Sequence, residues 1–274
     1  MNTKKTLLLF ILLIASISLS LALNPSKEYK KYPTDLKFKE QKVQTPDGYS
    51  LNTWYFPSTR TSNKLIIVSH NGDGNMGDNV ARIKSFISLG FNVLCYDYRG
   101  FGSSSDFKID NETYLYSEFY KDFETVYNYA LKNHGKKIYL YGWGIGATIS
   151  ITIGYTRSHT YSIVADGAIS RFVDLPQKFF KIGSRMSLDS EVSSRYKDPY
   201  TVLSETPSAN FRGILFIIGS KNYLFTENDA NELKSQVKNG MAEVFVMQNS
   251  RFADNFKDSP SDYTRKVSQF LINN

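Results

Sequence analysis

Residues 141–148 read Tyr-Gly-Trp-Gly-Ile-Gly-Ala-Thr, with Gly142, Gly144 and Gly146 at every second position. The spacing is that of G-x-S-x-G, in which a strand turns sharply into a helix and presents a serine hydroxyl for attack on an acyl carbonyl. Glycines flank such a bend because its central residue is strained and neighbouring side chains collide with the crossing strand and helix. Here the central position is Gly144, so the bend is kept and the hydroxyl is gone. The same letters fit G-x-G-x-x-A through Gly142, Gly144 and Ala147, and Asp166 stands near the place of a ribose-binding acid. Acyl transfer deprived of its nucleophile and dinucleotide binding therefore compete for these residues.

The elements around the glycines decide where they sit. LKFKEQKVQTPDGYSLNTWYF alternates apolar and polar residues on both sides of Pro46-Asp47-Gly48, the pattern of an antiparallel hairpin. Short β-branched runs then alternate with helical segments. The runs are KLIIVSH, FNVLCYDY, KKIYLYG, SIVADGA, GILFIIG and AEVFVMQ, and helices are predicted over about 79–89, 113–133, 144–155 and 227–238 and at the C terminus. Continuously apolar strands are covered by helices on both sides. The expected fold is α/β, a mostly parallel eight-stranded sheet with an antiparallel start and helices on both faces. Residues 171–210 break the alternation and mark the place for a short cap. The glycines follow the fifth strand, whereas a dinucleotide fingerprint normally follows the first, so no cofactor is expected.

A chain of 274 residues, 41% of them apolar, can bury one large core. The net charge of +7 comes from lysines scattered among acids, as in KEYKKYPTDLKFKEQK. No arginine–aromatic stripe accompanies them, so no nucleic-acid partner is expected. Lys4 and Lys5 precede the apolar run TLLLFILLIASISLSLAL, which ends in small residues before Asn24. That is an export signal, and Ser20 and Ala22 at A-x-A-like spacing predict cleavage after Ala22. An uncleaved anchor is the alternative, since the run is near the length that spans a bilayer. Residues 1–22 are thus read as a signal peptide or signal anchor, and 23–274 as a single domain. That domain is expected to be secreted or held in a periplasmic or endomembrane lumen, touching membrane only through an uncleaved N-terminal segment. Cys95 is the only cysteine, which rules out an intramolecular disulfide. Asn111-Glu112-Thr113 is a sequon that a eukaryotic secretory route would glycosylate at Asn111. No His-rich or paired-cysteine spacing is present, and no metal site is expected.

In such sheets ligands collect at the carboxyl ends of the strands. The loops there carry SHNGDGNMGDN, YDYRGFGSSS, YGWGIGAT and ADGAISRFVDL. Taken together and in this order they resemble the α/β-hydrolase superfamily, particularly its Bem46-like and serine aminopeptidase-like branch, over roughly residues 36–272. The resemblance implies the α/β-hydrolase fold and a triad in the order Ser, Asp, His. It puts Gly144 at the nucleophile's place, Asn222 of IIGSKNYLFT at the acid's, and Phe252 or Arg251 of QNSRFADNF at the base's. An amide cannot hold an imidazolium as a carboxylate does. The base is missing in any register, because His70, His134 and His159 are the only histidines.

No catalytic residue is expected at these positions. The resemblance makes His70 the histidine of the oxyanion loop, and His134 reads as a surface residue at a helix end. Asp73, Asp97, Asp106, Ser103, Ser104, Ser105 and Ser220 lie in or near strand-end loops, where turn formation and capping account for them. A ligand pocket would persist at Asn71, Gly72, Asp73, Trp143 and Ile145, with backbone N–H groups aimed at an anion and Phe101 and Tyr223 at its flank. The expected function is that of an exported pseudoenzyme binding a small ligand or a protein partner. The alternatives are a divergent esterase or peptidase that uses other residues, and a membrane-anchored scaffold.

Overall fold

Leu65, Ile66, Ile67 and Val68 are all fully buried, yet they feed two different cores. Leu65 and Ile67 join one apolar cluster, Ile66 and Val68 the other, as the two-residue period of a strand requires. The strand that carries them lies inside an eight-stranded sheet in a computed structural model that describes residues 23–110, 112–238, 241–251 and 255–274. The signal or anchor at 1–22, the sequon residue Asn111 and Phe252 lie outside the described residues.

The sheet strands are β1 (Lys39–Gln44), β2 (Ser50–Phe56), β3 (Lys64–Ser69), β4 (Asn92–Tyr96), β5 (Lys137–Trp143), β6 (Thr160–Asp166), β7 (Gly213–Gly219) and β8 (Ala242–Met247). Their spatial order is β1-β2-β4-β3-β5-β6-β7-β8. β2 runs antiparallel to both β1 and β4, and every other pairing is parallel. The hairpin between β1 and β2 turns at Gly48, whose φ of 91° suits glycine, and Thr45 Oγ1 donates to Asp47 at 2.6 Å. The sheet thus begins antiparallel and continues parallel, as the sequence pattern predicts.

The helices are α1 (Val80–Ser88), α2 (Ser117–Asn133), α3 (Ile145–Gly154), α4 (Leu175–Lys181), α5 (Ser190–Arg195), α6 (Pro199–Leu203), α7 (Glu227–Gln236), α8 (Asn255–Asp258) and α9 (Pro260–Asn273). α1 and α9 cover one face of the sheet, with Ile83, Phe86, Val267 and Leu271 in the core there. α2, α3 and α7 cover the other, with Phe123, Ile149 and Leu233. All ten residues of α3 are buried, so this helix packs on the sheet and is itself covered. α2 starts four residues later than its sequence pattern suggests. Thr113–Leu115 is instead a short strand paired in parallel with Ser187–Leu188. Residues 171–210 hold a 3₁₀ turn (Phe172–Asp174), α4, α5 and α6. No helix among the described residues is long and apolar enough to cross a membrane.

Candidate functional site at the strand-to-helix bend

β5 ends at Trp143 and α3 begins at Ile145, so Gly144 alone makes the turn. Its φ of 57° and ψ of −121° are a backbone that side chains rarely tolerate, and its N–H donates to the Asp166 carbonyl at 2.8 Å. A Cβ on Gly144 would stand 2.3 Å from Oδ1 of Asn71 and 2.7 Å from its Cγ. The amide of Asn71, on the loop after β3, fills the space that a nucleophilic side chain would use. Gly142 and Gly146 are constrained by backbone instead. A Cβ at Gly142 would meet the Gly146 carbonyl at 2.3 Å, and one at Gly146 would meet the Ser69 carbonyl at 2.3 Å.

The expected pocket residues are gathered here, but they are covered. Asn71, Gly72, Trp143 and Ile145 are buried, and Asp73 alone is exposed. The cover comes from the residues that follow the apolar N-terminal run. Leu23 is buried against Gly72, its Cδ2 occupying the place of a Gly72 Cβ, with Ile145 Cδ1 3.6 Å from that place. Asn24–Pro25 pairs in parallel with Asp73–Gly74, and Asn24 Nδ2 donates to Asp73 at 3.0 Å. Asn75 Nδ2 donates to the carbonyls of Ser26 and Glu28, and Gly102 N–H donates to Ser26. Tyr29 closes the seam: its hydroxyl donates to Asp97 and accepts from Asn52 Nδ2 at 2.9 Å and Ser103 N–H at 3.0 Å. None of this is visible in the motifs, because each bond joins residues far apart in sequence.

Asp97 directly follows β4, fully buried, and also accepts from Met76 N–H at 2.7 Å. Burial raises its carboxyl to about pH 7 despite the Tyr29 hydrogen bond, which acts in the opposite direction. His70, equally buried, is lowered to about 4 by burial. Its Nδ1 contacts the Asn71 carbonyl and must donate, which leaves Nε2 a bare acceptor 3.8 Å from Asp97 Oδ1. A protonated Asp97 suits that neighbour. The pH consequence follows from the sign of the shift. Asp97 contributes stability that is fully present below about pH 4 and is lost as pH rises through about 7. Replacing it with Asn removes that loss. The stability of Asp97→Asn relative to the parent will therefore climb between about pH 4 and 7, by up to about 1.4 kcal/mol per pH unit. Urea midpoints at pH 4, 5.5 and 7 check this, and a difference that is flat or falls with pH contradicts it.

Asn222 is buried in the loop after β7. Its Oδ1 accepts from the N–H groups of Leu224 and Phe225 at 3.0 Å each, and its Nδ2 has no hydrogen-bond partner among the described residues. The acceptor atom is thus spent on the turn, and what remains is a donor. Asp166 is buried at the end of β6, where Asn255 of α8 donates to it. Burial raises its carboxyl to about 6. Enclosed in this way, Asp166 is not placed to meet a ribose, which tells against the dinucleotide reading. Beside it Arg82 lies buried between the rings of Trp143 and Phe256, at 4.6 and 4.2 Å.

The remaining hydroxyls and acids have structural tasks. Ser104 Oγ donates to the Asp97 carbonyl at 2.7 Å and accepts from Asn52 N–H, Ser105 Oγ accepts from Ser50 N–H, and Ser220 Oγ accepts from Asn249 N–H, each at 2.8 Å. Asp106 pairs with Lys27 at 2.7 Å on the surface. His134 is half-buried and stacks on Tyr55 at 4.0 Å, so it is not the simple surface residue that its place before a glycine suggests. Of the expected flanking aromatics Phe101 is fully buried, and Tyr223 is exposed. Arg99 carries a role that its motif alone did not disclose. Nε and Nη2 donate to Asp122 on α2 at 2.9 and 2.7 Å, and Nη1 and Nη2 donate to Asp47 in the hairpin turn at 2.9 and 3.1 Å. Beyond the bend, an open groove of about 740 Å³ runs through the 171–210 segment, lined by Phe172, Pro176, Leu188, Asp189, Arg195 and Tyr196 among others.

Residues 61–187 match the family model for serine aminopeptidase, S33. The chain is 22% identical to the uncharacterized protein YfhR of Escherichia coli K12 over 285 residues, covering 99% of this chain and 96% of that protein. It is 24% identical to the uncharacterized protein YqkD of Bacillus subtilis, covering 82% of this chain and 76% of that one. Among solved structures it is similar to the Pyrococcus furiosus esterase Pf2001, with a TM-score of 0.73 and 18% identity over 92% of this chain and 97% of that one. At that identity the likeness speaks for the fold. With the bend between β5 and α3, the strand order of the sheet and the solved structures all in agreement, the chain has the α/β-hydrolase fold.

Proposed function

We propose that this is an exported α/β-hydrolase-fold pseudoenzyme, which works by binding and not by acyl transfer. The observation that carries the reading is the Asn71 amide standing where a Gly144 side chain would be. Another part of the fold has taken the nucleophile's space, so the glycine is one half of a matched pair. Asn222, with its oxygen committed to a turn, and the lack of any histidine beyond 159 support the same reading. With Leu23 and Trp143 buried at the bend, a protein partner is favoured there over a small ligand, and the groove in the 171–210 segment is the more open place for either.

A fluorophosphonate serine probe and short acyl esters test this. The parent is expected to stay unlabelled and to hydrolyse esters no faster than a Gly144→Trp control. Labelling, or hydrolysis above that control, overturns the proposal. Gly144→Ser is expected to remain unlabelled too, because restoring the hydroxyl restores no base. It will also lose about 1–3 kcal/mol of stability, since serine must hold a strained backbone against the Asn71 amide. Adding Asn71→Ala will return part of that loss, which denaturant midpoints would show.

A further inference from the structure

We infer that the outer face of the 171–185 segment seats on an anionic lipid bilayer, with the former cleft end of the molecule turned toward the membrane. The large apolar side chains exposed among the described residues are Tyr32, Val173, Phe180, Tyr223 and Ile272, and two of them, Val173 and Phe180, lie in this segment. Val173 and Phe180, 78% and 81% exposed, are seven positions apart across the 3₁₀ turn and α4, hence on one side. Pro176 and Gln177 lie exposed between them, whereas Leu175 and Phe179 are buried beneath. Tyr223 lies on the loop beside α4, to which Lys178 is tied by donating from Nζ to the neighbouring Leu224 carbonyl at 3.0 Å and to Asp229 on α7. Apolar tips on one side of a short helix above a packed base are the form of an interfacial anchor.

The charges select the surface. From 171 to 185 there is one acid, Asp174, against Arg171, Lys178, Lys181 and Arg185. Lys178 is paired with Asp229 and Arg171 with Glu232, which leaves Lys181 and Arg185, both exposed, for an outside partner, with exposed Lys221 beside Tyr223. Basic side chains around exposed aromatics complement anionic headgroups. The chain's own course favours a bilayer over another protein. The apolar run at the N terminus meets the fold at Leu23, which packs on Gly72 and Ile145 at the carboxyl ends of β3 and β5. α4 follows β6, and Tyr223 follows β7, so both leave the sheet at this same end. The point at which a run of near bilayer-spanning length ends and a face with lipid-like complementarity therefore lie toward the same end of the sheet.

This inference stands apart from the proposal on catalysis, since a working enzyme could present the same face. The native thiol, Cys95, is fully buried, so a cysteine introduced at the surface can be labelled alone. In the full chain, an environment-sensitive fluorophore is placed on Val173→Cys, Phe180→Cys or, as control, Ile272→Cys. Each is mixed with vesicles of phosphatidylcholine alone or with 30% phosphatidylglycerol, roughly the anionic content that gives a strong surface potential. A blue shift at 173 and 180 with the anionic vesicles, little at 272, and reversal by salt are expected. With Lys181→Glu, Arg185→Glu and Lys221→Glu together, binding of the 180 probe should weaken about tenfold or more. No shift at 180, an equal shift at 272, or a shift that grows with protein concentration in the absence of lipid would overturn the inference. The last result would identify a second copy of the chain as the occupant.

Discussion

Gly146→Ala will either fail to fold or lose more than about 4 kcal/mol of stability, although alanine is otherwise the better helix former by about 1 kcal/mol. Gly146 lies in the first turn of α3, and its backbone needs no positive φ. The cost is steric. The added Cβ would stand 2.3 Å from the Ser69 carbonyl oxygen, 2.7 Å from its carbon and 2.8 Å from the His70 carbonyl oxygen. All three are backbone atoms at the end of a central strand, where interiors pack too tightly to yield. Gly90→Ala is the control: its φ is 86° but nothing lies within 4 Å of its Cβ, so only the backbone term of about 1 kcal/mol is expected. Guanidinium denaturation of both variants measures the contrast. Equal losses would mean that the close crossing of β3 and α3 is not what fixes Gly146.

Arg99→Met will cost about 3–5 kcal/mol, the usual price of leaving a buried charge without its partner. Arg99 is 1% exposed, and Asp122, which receives its Nε, Nη2 and backbone N–H, is completely buried. The same guanidinium holds Asp47, whose carboxyl it lowers to about 2 by hydrogen bonding, and it stacks on Tyr49 at 4.0 Å. Three elements far apart in sequence, the first hairpin, the β4 loop and α2, are thereby pinned at one point. Removing the orphaned charge as well, in Arg99→Met with Asp122→Leu, should recover part of the loss, because an apolar replacement of a whole buried pair is often tolerated. Arg99→Lys keeps the charge and loses the fork, so it should fall between parent and Met variant. Urea midpoints that place Lys level with Met would show that charge contributes nothing there.

The fold was largely legible because its signal is periodic. Runs such as KLIIVSH and GILFIIG announce strands buried on both sides, and Gly142, Gly144 and Gly146 announce the bend at its correct strand. Even so, periodicity says nothing of which strands are neighbours: β4 lies outside β3, next to β2, as the pairing of Trp54 with Cys95 shows. The site was legible only as a set of letters. That Gly144 is glycine could be read, but that the Asn71 amide fills the space above it could not, since α1, β4, α2 and β5 all lie between the two in sequence. The same holds for Leu23, which in the sequence is the tail of an apolar run and in the fold is a buried residue of the domain. Arg99 was visible as part of Tyr-Arg-Gly-Phe-Gly, whereas Asp47 and Asp122 carry no mark of their shared partner.

The seam made by residues 23–29 also sets an order of events in time. These residues are synthesised before any of the loops they are sewn to, and their partners Asn75 and Ser103 come 47 and 74 positions later. The seam therefore cannot close until those later loops have been made. The first part of the domain to leave the ribosome waits for partners that follow it. Until then Leu23 has no cover; afterwards it is buried. A protease cutting after Ala22, the position that the sequence predicts, would have to act against that clock.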